Sequence, residues 1–258
     1  MSINDYSIHY KNKELSIFLE LTTYCNAGCP QCHRTDRNGI SKAKWLPLKH
    51  WTLEQVKNVF NPRTLESIEL IELCGTWGDP IMNKDVYSII QYMIENSNAN
   101  ILINTNGSIR NPKWWGSLGE ISNGRITVMW AIDGSTQDIH NFYRQNTNLE
   151  LILENMKAFT GAGGKSEIFT IVFKHNQTDL YDIAMLGKQN GAKAITFVQS
   201  NRFRPGETKY YFTDPTGKEY FLEETTLENN RSFYWTSLSL YDENSIKRIK
   251  EESIKGKL

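Results

Sequence analysis

From Leu15 onward the sequence alternates short runs rich in β-branched and aromatic residues with longer runs whose apolar residues recur at helical spacing. That alternation is the signature of repeated βα units around a parallel sheet, and 258 residues can bury the core of one such domain. Six strands are expected, at 16–22, 67–73, 100–104, 125–132, 167–173 and Ala194–Gln199. The clearest helices begin near Thr52, Lys84, Leu149 and Asp179. Thr52 and Gln55 have the spacing of a capping box, and Gly161 and Gly191 read as carboxyl-terminal stops. Between the third and fourth strands, Asn111, Pro112, Lys113, Trp114 and Trp115 form an aromatic segment with little periodicity, expected to give only a turn or two of helix.

The βα period ends near Arg204, Pro205 and Gly206. The chain therefore divides into a main domain over 1–205 and a carboxyl-terminal extension over 206–258. The extension reads as a hairpin around Asp214, Pro215, Thr216 and Gly217, followed by a charged terminal helix. Lys plus Arg (29) equals Asp plus Glu (29), so net charge offers no grip on nucleic acid or an anionic membrane. The opening MSINDYSIHYKNKELS lacks an apolar leader core, and no stretch approaches the ~20 apolar residues that cross a bilayer. A soluble, cytoplasmic protein is expected, with neither nucleic acid nor membrane as partner.

All four cysteines lie in the first third of the chain, and Cys25, Cys29 and Cys32 fall within eight residues. Such placement is poor for disulfides that staple a fold, and in a reducing compartment it more often binds metal. The three follow directly on the first strand, on the loop at its carboxyl end, where barrels build active sites. Thiolates hold iron-sulfur clusters, and a cubane held by three of them leaves one iron open to a small molecule. A zinc knuckle with Cys74 as fourth ligand is the competing reading.

Gly78-Asp79-Pro80 follows the second strand, Thr105-Asn106-Gly107 the third and Asp133-Gly134 the fourth. With the C-x3-C-x2-C spacing of the cysteines, this order resembles the radical SAM superfamily over roughly residues 15–200. The resemblance implies a partial (βα)6 TIM-like barrel of parallel strands with a short carboxyl-terminal extension. It also implies a 4Fe-4S cluster on Cys25, Cys29 and Cys32, whose open iron chelates S-adenosyl-L-methionine. Reductive cleavage would then give a 5'-deoxyadenosyl radical that takes a hydrogen atom from substrate. A flavodoxin or ferredoxin is the kind of electron donor such chemistry uses.

The same resemblance assigns cofactor contacts. Gly78, Asp79 and Pro80 stand where the family receives the ammonium of the methionine moiety, with Asp79 where the family has Glu. Gln31 stands where the family carries an aromatic residue beside the third cysteine, so a backbone contact to adenine is retained without stacking. Thr105, Asn106 and Asp133 suit hydrogen bonds to ribose hydroxyls or the methionine carboxylate, although Asn106-Gly107 and Asp133-Gly134 equally make turns. Arg144, in Asp138-Ile139-His140-Asn141-Phe142-Tyr143-Arg144, is expected to grip that carboxylate in a two-pronged hydrogen bond. Asn176 after the fifth strand and Gln199 at the end of the sixth face the same mouth, as do Asn201 and Arg202.

The stretch from Val128 to Arg202 looks most like SPASM or twitch-type radical SAM proteins, which modify peptides. No cysteine follows Cys74, so the auxiliary clusters of those relatives cannot form, and no second cysteine pair is present to carry a methyl group. The expected activity is an oxidoreductase-type radical SAM reaction on a peptide or protein. The alternatives are radical modification of a nucleoside or small metabolite, and a non-catalytic barrel that binds zinc or a cluster.

Overall fold

The computed structural model describes residues 15–256 apart from Pro215 and Arg231. The opening residues used above to argue against a leader, and Pro215 of the hairpin turn, lie outside that set. Six strands, β1 (Ser16–Leu19), β2 (Leu70–Leu73), β3 (Asn100–Thr105), β4 (Ile126–Ala131), β5 (Lys165–Val172) and β6 (Ala194–Gln199), pair in sequence order, each parallel to the next. β1 stands at one edge and does not close onto β6, so the parallel sheet is a partial (βα)6 TIM-like barrel.

Between the strands run α1 (Leu53–Val59), α2 (Pro62–Leu65), α3 (Val86–Asn96), α4 (Pro112–Glu120), α5 (Gln137–Tyr143), α6 (Leu149–Gly161) and α7 (Leu180–Gln189). The expected capping box forms: the Gln55 amide donates to Thr52 Oγ1, and Gln55 Oε1 accepts from the Thr52 amide. The segment expected to give a turn or two is the nine-residue α4. Its aromatic residues hide the period because they are the packing: Trp115 is fully buried, with its ring 4.6 Å from Trp130 and 5.9 Å from Phe159. Asn111 caps the helix through its side chain, and Pro112 occupies the first turn where no donor is needed. Gly191 has φ of +98° just beyond α7, as a stop requires. The stop of α6 falls later than expected, at Gly163 (φ +101°), while Gly161 is still helical.

Strand limits differ where other hydrogen bonds compete. β1 ends at Leu19 because Leu21 and Thr23 pair with Trp51 and Lys49 and leave the parallel ladder. β2 begins at Leu70 because the Ile68 amide still turns back to the Leu65 carbonyl at the end of α2. Along β3, β4 and β5 one face is buried and the other only partly covered, in strict alternation. The buried face, including Ile103, Val128, Trp130 and Ile168, meets the helices, while the other lines a hollow lumen.

Beyond β6 come a hairpin of β7 (Lys209–Thr213) and β8 (Glu219–Glu223), then β9 (Ser237–Ser239) and α8 (Glu243–Lys255). β9 adds antiparallel to β6 and makes the main sheet seven-stranded, and α8 packs on α7. Among the described residues no helix is long and apolar enough to cross a membrane.

Candidate active site

The loop after β1 turns tightly through the cysteines. The Cys32 amide donates to the Cys29 carbonyl at 3.3 Å, and Thr35 closes the next turn through its amide and hydroxyl on the Cys32 carbonyl. Gln31 sits in the left-handed region (φ +59°) between them. The Gly28 amide, bonded to the Gln145 carbonyl at 2.9 Å, ties the loop to the end of α5. Cys29 is buried, Cys25 and Cys32 are half-buried, and all three line one cavity of about 480 Å³ at the carboxyl ends of the strands.

Gly78-Asp79-Pro80 begins a 3-10 turn, Pro80–Met82, packed under this loop. A Cβ on Gly78 would lie 2.3 Å from the Thr22 carbonyl oxygen and 2.7 Å from that of Tyr24, so only glycine allows the approach. Asp79 is buried and its carboxylate is saturated. Oδ1 accepts from the Ile81 amide at 3.0 Å, Oδ2 accepts from the Asn106 amide and side chain at 2.8 and 2.7 Å, and the Thr105 hydroxyl lies 2.9 Å from both oxygens. Burial pushes this carboxyl up, and the donors draw it back. Asp79 thus clamps the loops after β2 and β3 together, and Asn106 Nδ2 reaches Asn26 Oδ1 at 2.9 Å and Cys25 Sγ at 3.8 Å.

Asp133 at the end of β4 is fully buried. Its Oδ1 accepts from the Ile171 amide at 2.6 Å, and its Oδ2 pairs with Arg144 Nε. Arg144 Nη1 lies 3.9 Å from Cys29 Sγ. Burial pushes the Asp133 carboxyl up while Arg144 draws it back, and the carboxylate in turn holds the guanidinium firmly protonated. The pair therefore points a fixed positive charge at the sulfur loop.

Cys25, Cys29, Cys32, Gly78, Asp79, Thr105, Asn106 and Arg144 all line the cavity, and Asp133 stands directly behind Arg144. Arg202 lines it as well, whereas the remaining expected contacts, Pro80, Gln31, Asn176, Gln199 and Asn201, do not. Pro80 is buried in its 3-10 turn. Asn176 is fully buried, and its side chain is consumed by the backbone of Asp133, Ile171 and Phe173, as a strand-end staple. Gln199 donates to the Leu227 carbonyl of the extension at 2.8 Å. Gln31 faces the end of β6, where its Oε1 accepts from Ser200 and its carbonyl from Arg202. Unanticipated lining residues are Arg34, Glu72, Asn104 and Trp235. Glu72 and Asn104 could have been found as polar interruptions at lumen-facing positions of β2 and β3, whereas nothing local marks Trp235.

The donor set suits a cluster better than one ion. Among the described residues no three His, Cys, Asp or Glu side chains gather about a single point, as the four-thiolate zinc site with Cys74 would require. Three thiols spread along a loop around one cavity instead match a cluster in which each iron takes its own thiolate. Burial pushes the Cys29 thiol up to about 11 against the pull of Arg144, and burial with Asp79 pushes Cys25 higher. Loading must therefore displace protons, and the Arg144 and Asn106 nitrogens near the sulfurs favour the anionic product.

The sequence profile of the Radical SAM superfamily matches residues 19–186, well over half of the chain. No curated protein matches by sequence. Among solved structures the chain is similar to Streptococcus suis SuiB, with a TM-score of 0.58 at 14% identity, covering 73% of this chain and 40% of SuiB. It is also similar to anSMEcpe with bound AdoMet, with a TM-score of 0.57 at 16% identity, covering 72% of this chain and 50% of that one. TYW1 with a lysine-pyruvate adduct bound gives a TM-score of 0.51 at 12% identity, covering 81% and 80%. At such identities the likeness is one of fold, and the chain spans half or less of SuiB and anSMEcpe. The chain belongs to the Radical SAM superfamily and is an enzyme of that family, whose members work with a 4Fe-4S cluster and S-adenosylmethionine.

Proposed function

We propose that this enzyme holds its cluster on Cys25, Cys29 and Cys32, binds S-adenosylmethionine in the cavity beside them and abstracts a hydrogen atom from a peptide side chain. The observation that carries the reading is the convergence on one cavity mouth of the three thiols, the Asp79–Thr105–Asn106 clamp and the Asp133–Arg144 pair. When bound and reduced, the cluster supplies the electron that cleaves the cofactor to methionine and a 5'-deoxyadenosyl radical.

The protein's part is placement and exclusion. Gly78 lets the backbone after β2 approach the cysteine loop closely, and the carbonyl groups of that segment would receive the ammonium end of the cofactor. Arg144, held by Asp133 through Nε, keeps its remaining nitrogens for the cofactor carboxylate and the sulfurs. Thr105 and Asn106 are oriented by Asp79, so their positions cost no reordering when a ligand arrives. The apolar lumen wall of Leu102, Met129, Phe169 and Ile171 keeps water from the radical.

A peptide substrate is supported by two neighbours: SuiB is known bound to the precursor peptide SuiA, and anSMEcpe with the Cp18Cys peptide. A cavity of about 480 Å³ is the size of a ligand pocket, and a substrate side chain would enter its lumen. We assign residues 206–258 to an extension of the barrel, whose Trp235 and Ser237 complete the cavity wall.

The test is anaerobic reconstitution with iron and sulfide, reduction with dithionite, addition of S-adenosylmethionine, and detection of 5'-deoxyadenosine by mass spectrometry. Wild type is expected to form it and Cys29→Ala to form none. Uptake of zinc in place of a cluster, or a loaded cluster that never yields 5'-deoxyadenosine, would overturn the assignment.

A further inference from the structure

Two carboxylates line the cavity among the described residues: Asp79, saturated by the loop donors at the mouth, and Glu72, which stands between Leu102, Met129 and the other strand residues of the lumen. Glu72 is half-buried in the middle of β2, a position where the rest of the strand is Leu and Ile. Asn104 on the adjacent strand donates Nδ2 to Glu72 Oε1 at 2.7 Å and so orients it. Among the described residues no lysine or arginine forms an ion pair with Glu72.

The cavity's three guanidiniums are committed at the cysteine loop. Arg34 donates to the Thr23 carbonyl, Arg144 pairs with Asp133, and Arg202 donates to the Gln31 carbonyl. The charged group that acts on Glu72 from the segment just after β1 is Glu20, of like sign, whose oxygens accept from the Thr76 and Trp77 amides. Burial pushes the Glu72 carboxyl up, the Asn104 amide draws it back, and Glu20 adds to the rise. A carboxylate kept from water without a cation is costly, and an oriented one in an enzyme's cavity is complementary to a positive ligand.

We infer that Glu72, oriented by Asn104, is the substrate-recognition carboxylate of this cavity and takes a protonated amine or guanidinium of the substrate. The inference rests on the reading above that substrate enters the lumen. The cation comes either from a basic side chain of a peptide or from a free small amine, and Glu72 recognises the chemistry the two share. Arginine would engage the carboxylate through two N–H groups and lysine through one. The radical would then act on a carbon set at a fixed reach from this anchor.

The test measures binding to the full chain, anaerobically reconstituted and supplied with S-adenosylmethionine, at pH 8. The probes are the blocked tripeptides acetyl-Ala-Lys-Ala-amide, acetyl-Ala-Arg-Ala-amide and acetyl-Ala-Met-Ala-amide, with free butylamine. Calorimetry or saturation-transfer NMR supplies the readout. Wild type is expected to bind a cationic probe about ten-fold more tightly than the methionine peptide, the order of one hydrogen bond to a charged group. Glu72→Gln, which keeps shape and can still bond Asn104, should shrink that preference to about two-fold or less, while Glu72→Asp should retain most of it.

A tripeptide bound more tightly than butylamine identifies a peptide as the source of the cation, and the reverse order a small amine. Either result supports the assignment. Wild type without cation preference, including no binding at millimolar concentration, overturns it, as does a preference that survives in Glu72→Gln. Formation of 5'-deoxyadenosine by wild type without any probe reports on the radical reading alone, so the two failures are separable.

Discussion

Replacing Arg144 with methionine isolates the charge pair behind the cysteine loop while keeping an unbranched side chain in the same space. Asp133 is 0% exposed and Arg144 14% exposed at the side chain. The variant leaves Asp133 with the Ile171 amide on Oδ1 and nothing charged on Oδ2. Breaking a buried ion pair by removing one partner costs about 3–5 kcal/mol, and the slight exposure of Arg144 places this case near the lower end, at about 3 kcal/mol. That is a large share of the ~5–15 kcal/mol typical of a domain, and at ~2–4 °C per kcal/mol it lowers Tm by roughly 6–12 °C.

The assay is urea unfolding of wild type, Arg144→Met, Asp133→Asn and the double variant. The double should be less destabilised than the sum of the singles by at least about 1 kcal/mol, because the second substitution removes a charge already unpaired. The pH dependence gives a second check. Without Arg144, burial raises the folded carboxyl of Asp133 above its unfolded value of ~3.9. A raised pKa favours the folded state below the unfolded pKa and loses that favour as pH rises through the folded one. The deficit of Arg144→Met relative to wild type should therefore shrink as pH falls toward 4. A cost below about 1 kcal/mol with no coupling would refute the buried pair as described.

His140 gives an acid limb of its own. It is fully buried, Nδ1 accepts from the Asp133 amide at 3.2 Å, and Nε2 therefore carries the hydrogen toward Thr147 Oγ1 at 3.0 Å. Burial and the nearby Arg144 lower its pKa to about 3, so stability should fall from pH 6.5 toward 3 by up to about 1.4 kcal/mol per pH unit, as the unfolded chain takes a proton the folded one refuses. Urea unfolding of His140→Gln at pH 7 and pH 5 should show a flatter slope than wild type, and an equal slope would discount the histidine. Gly78→Ala places a Cβ 2.3 Å from the Thr22 carbonyl oxygen, so iron content after reconstitution should fall severely; normal loading would mean the loop can move aside. Cys74→Ala should load iron and sulfide like wild type, since Cys74 stands just past β2, off the cysteine loop, and its thiol lies 3.8 Å from the Glu72 carbonyl oxygen of that strand. Lost iron in that variant would return it to the ligand set.

Much of the fold was legible because its causes are local. Strand β6 falls on its expected residues, and the Thr52 cap and the Gly191 stop depend on chemistry within a few residues. Boundaries failed where a distant segment competes for the backbone, as Lys49 and Trp51 do at the end of β1. Helix α4 was underestimated because its tryptophans serve tertiary packing with Trp130 and Phe159, which local propensity does not register.

The candidate site divides the same way. Cys25, Cys29 and Cys32 were legible because a loop after a strand brings three thiols together by spacing alone, whereas Arg144 was expected only from the resemblance of its segment to the family, and it stands just past α5. Asn176 and Gln199 stand at the expected strand ends, yet their amides are taken by backbone carbonyls at Asp133, Ile171 and Leu227. Which polar groups remain for a ligand depends on which neighbours have already claimed them.

The sequence by itself determined the βα order, the cysteine loop at the mouth and the membership in a cofactor-cleaving family, since each follows from residue type and spacing along the chain. Only the tertiary structure decided that Asp79 clamps Thr105 and Asn106, that Asp133 braces Arg144, and that Glu72 stands in the lumen with no ion-pair partner among the described residues. Those are properties of pairs of strands and loops up to tens of residues apart, and hydrogen-bond partners and burial come into being only when the sheet curls around its cavity.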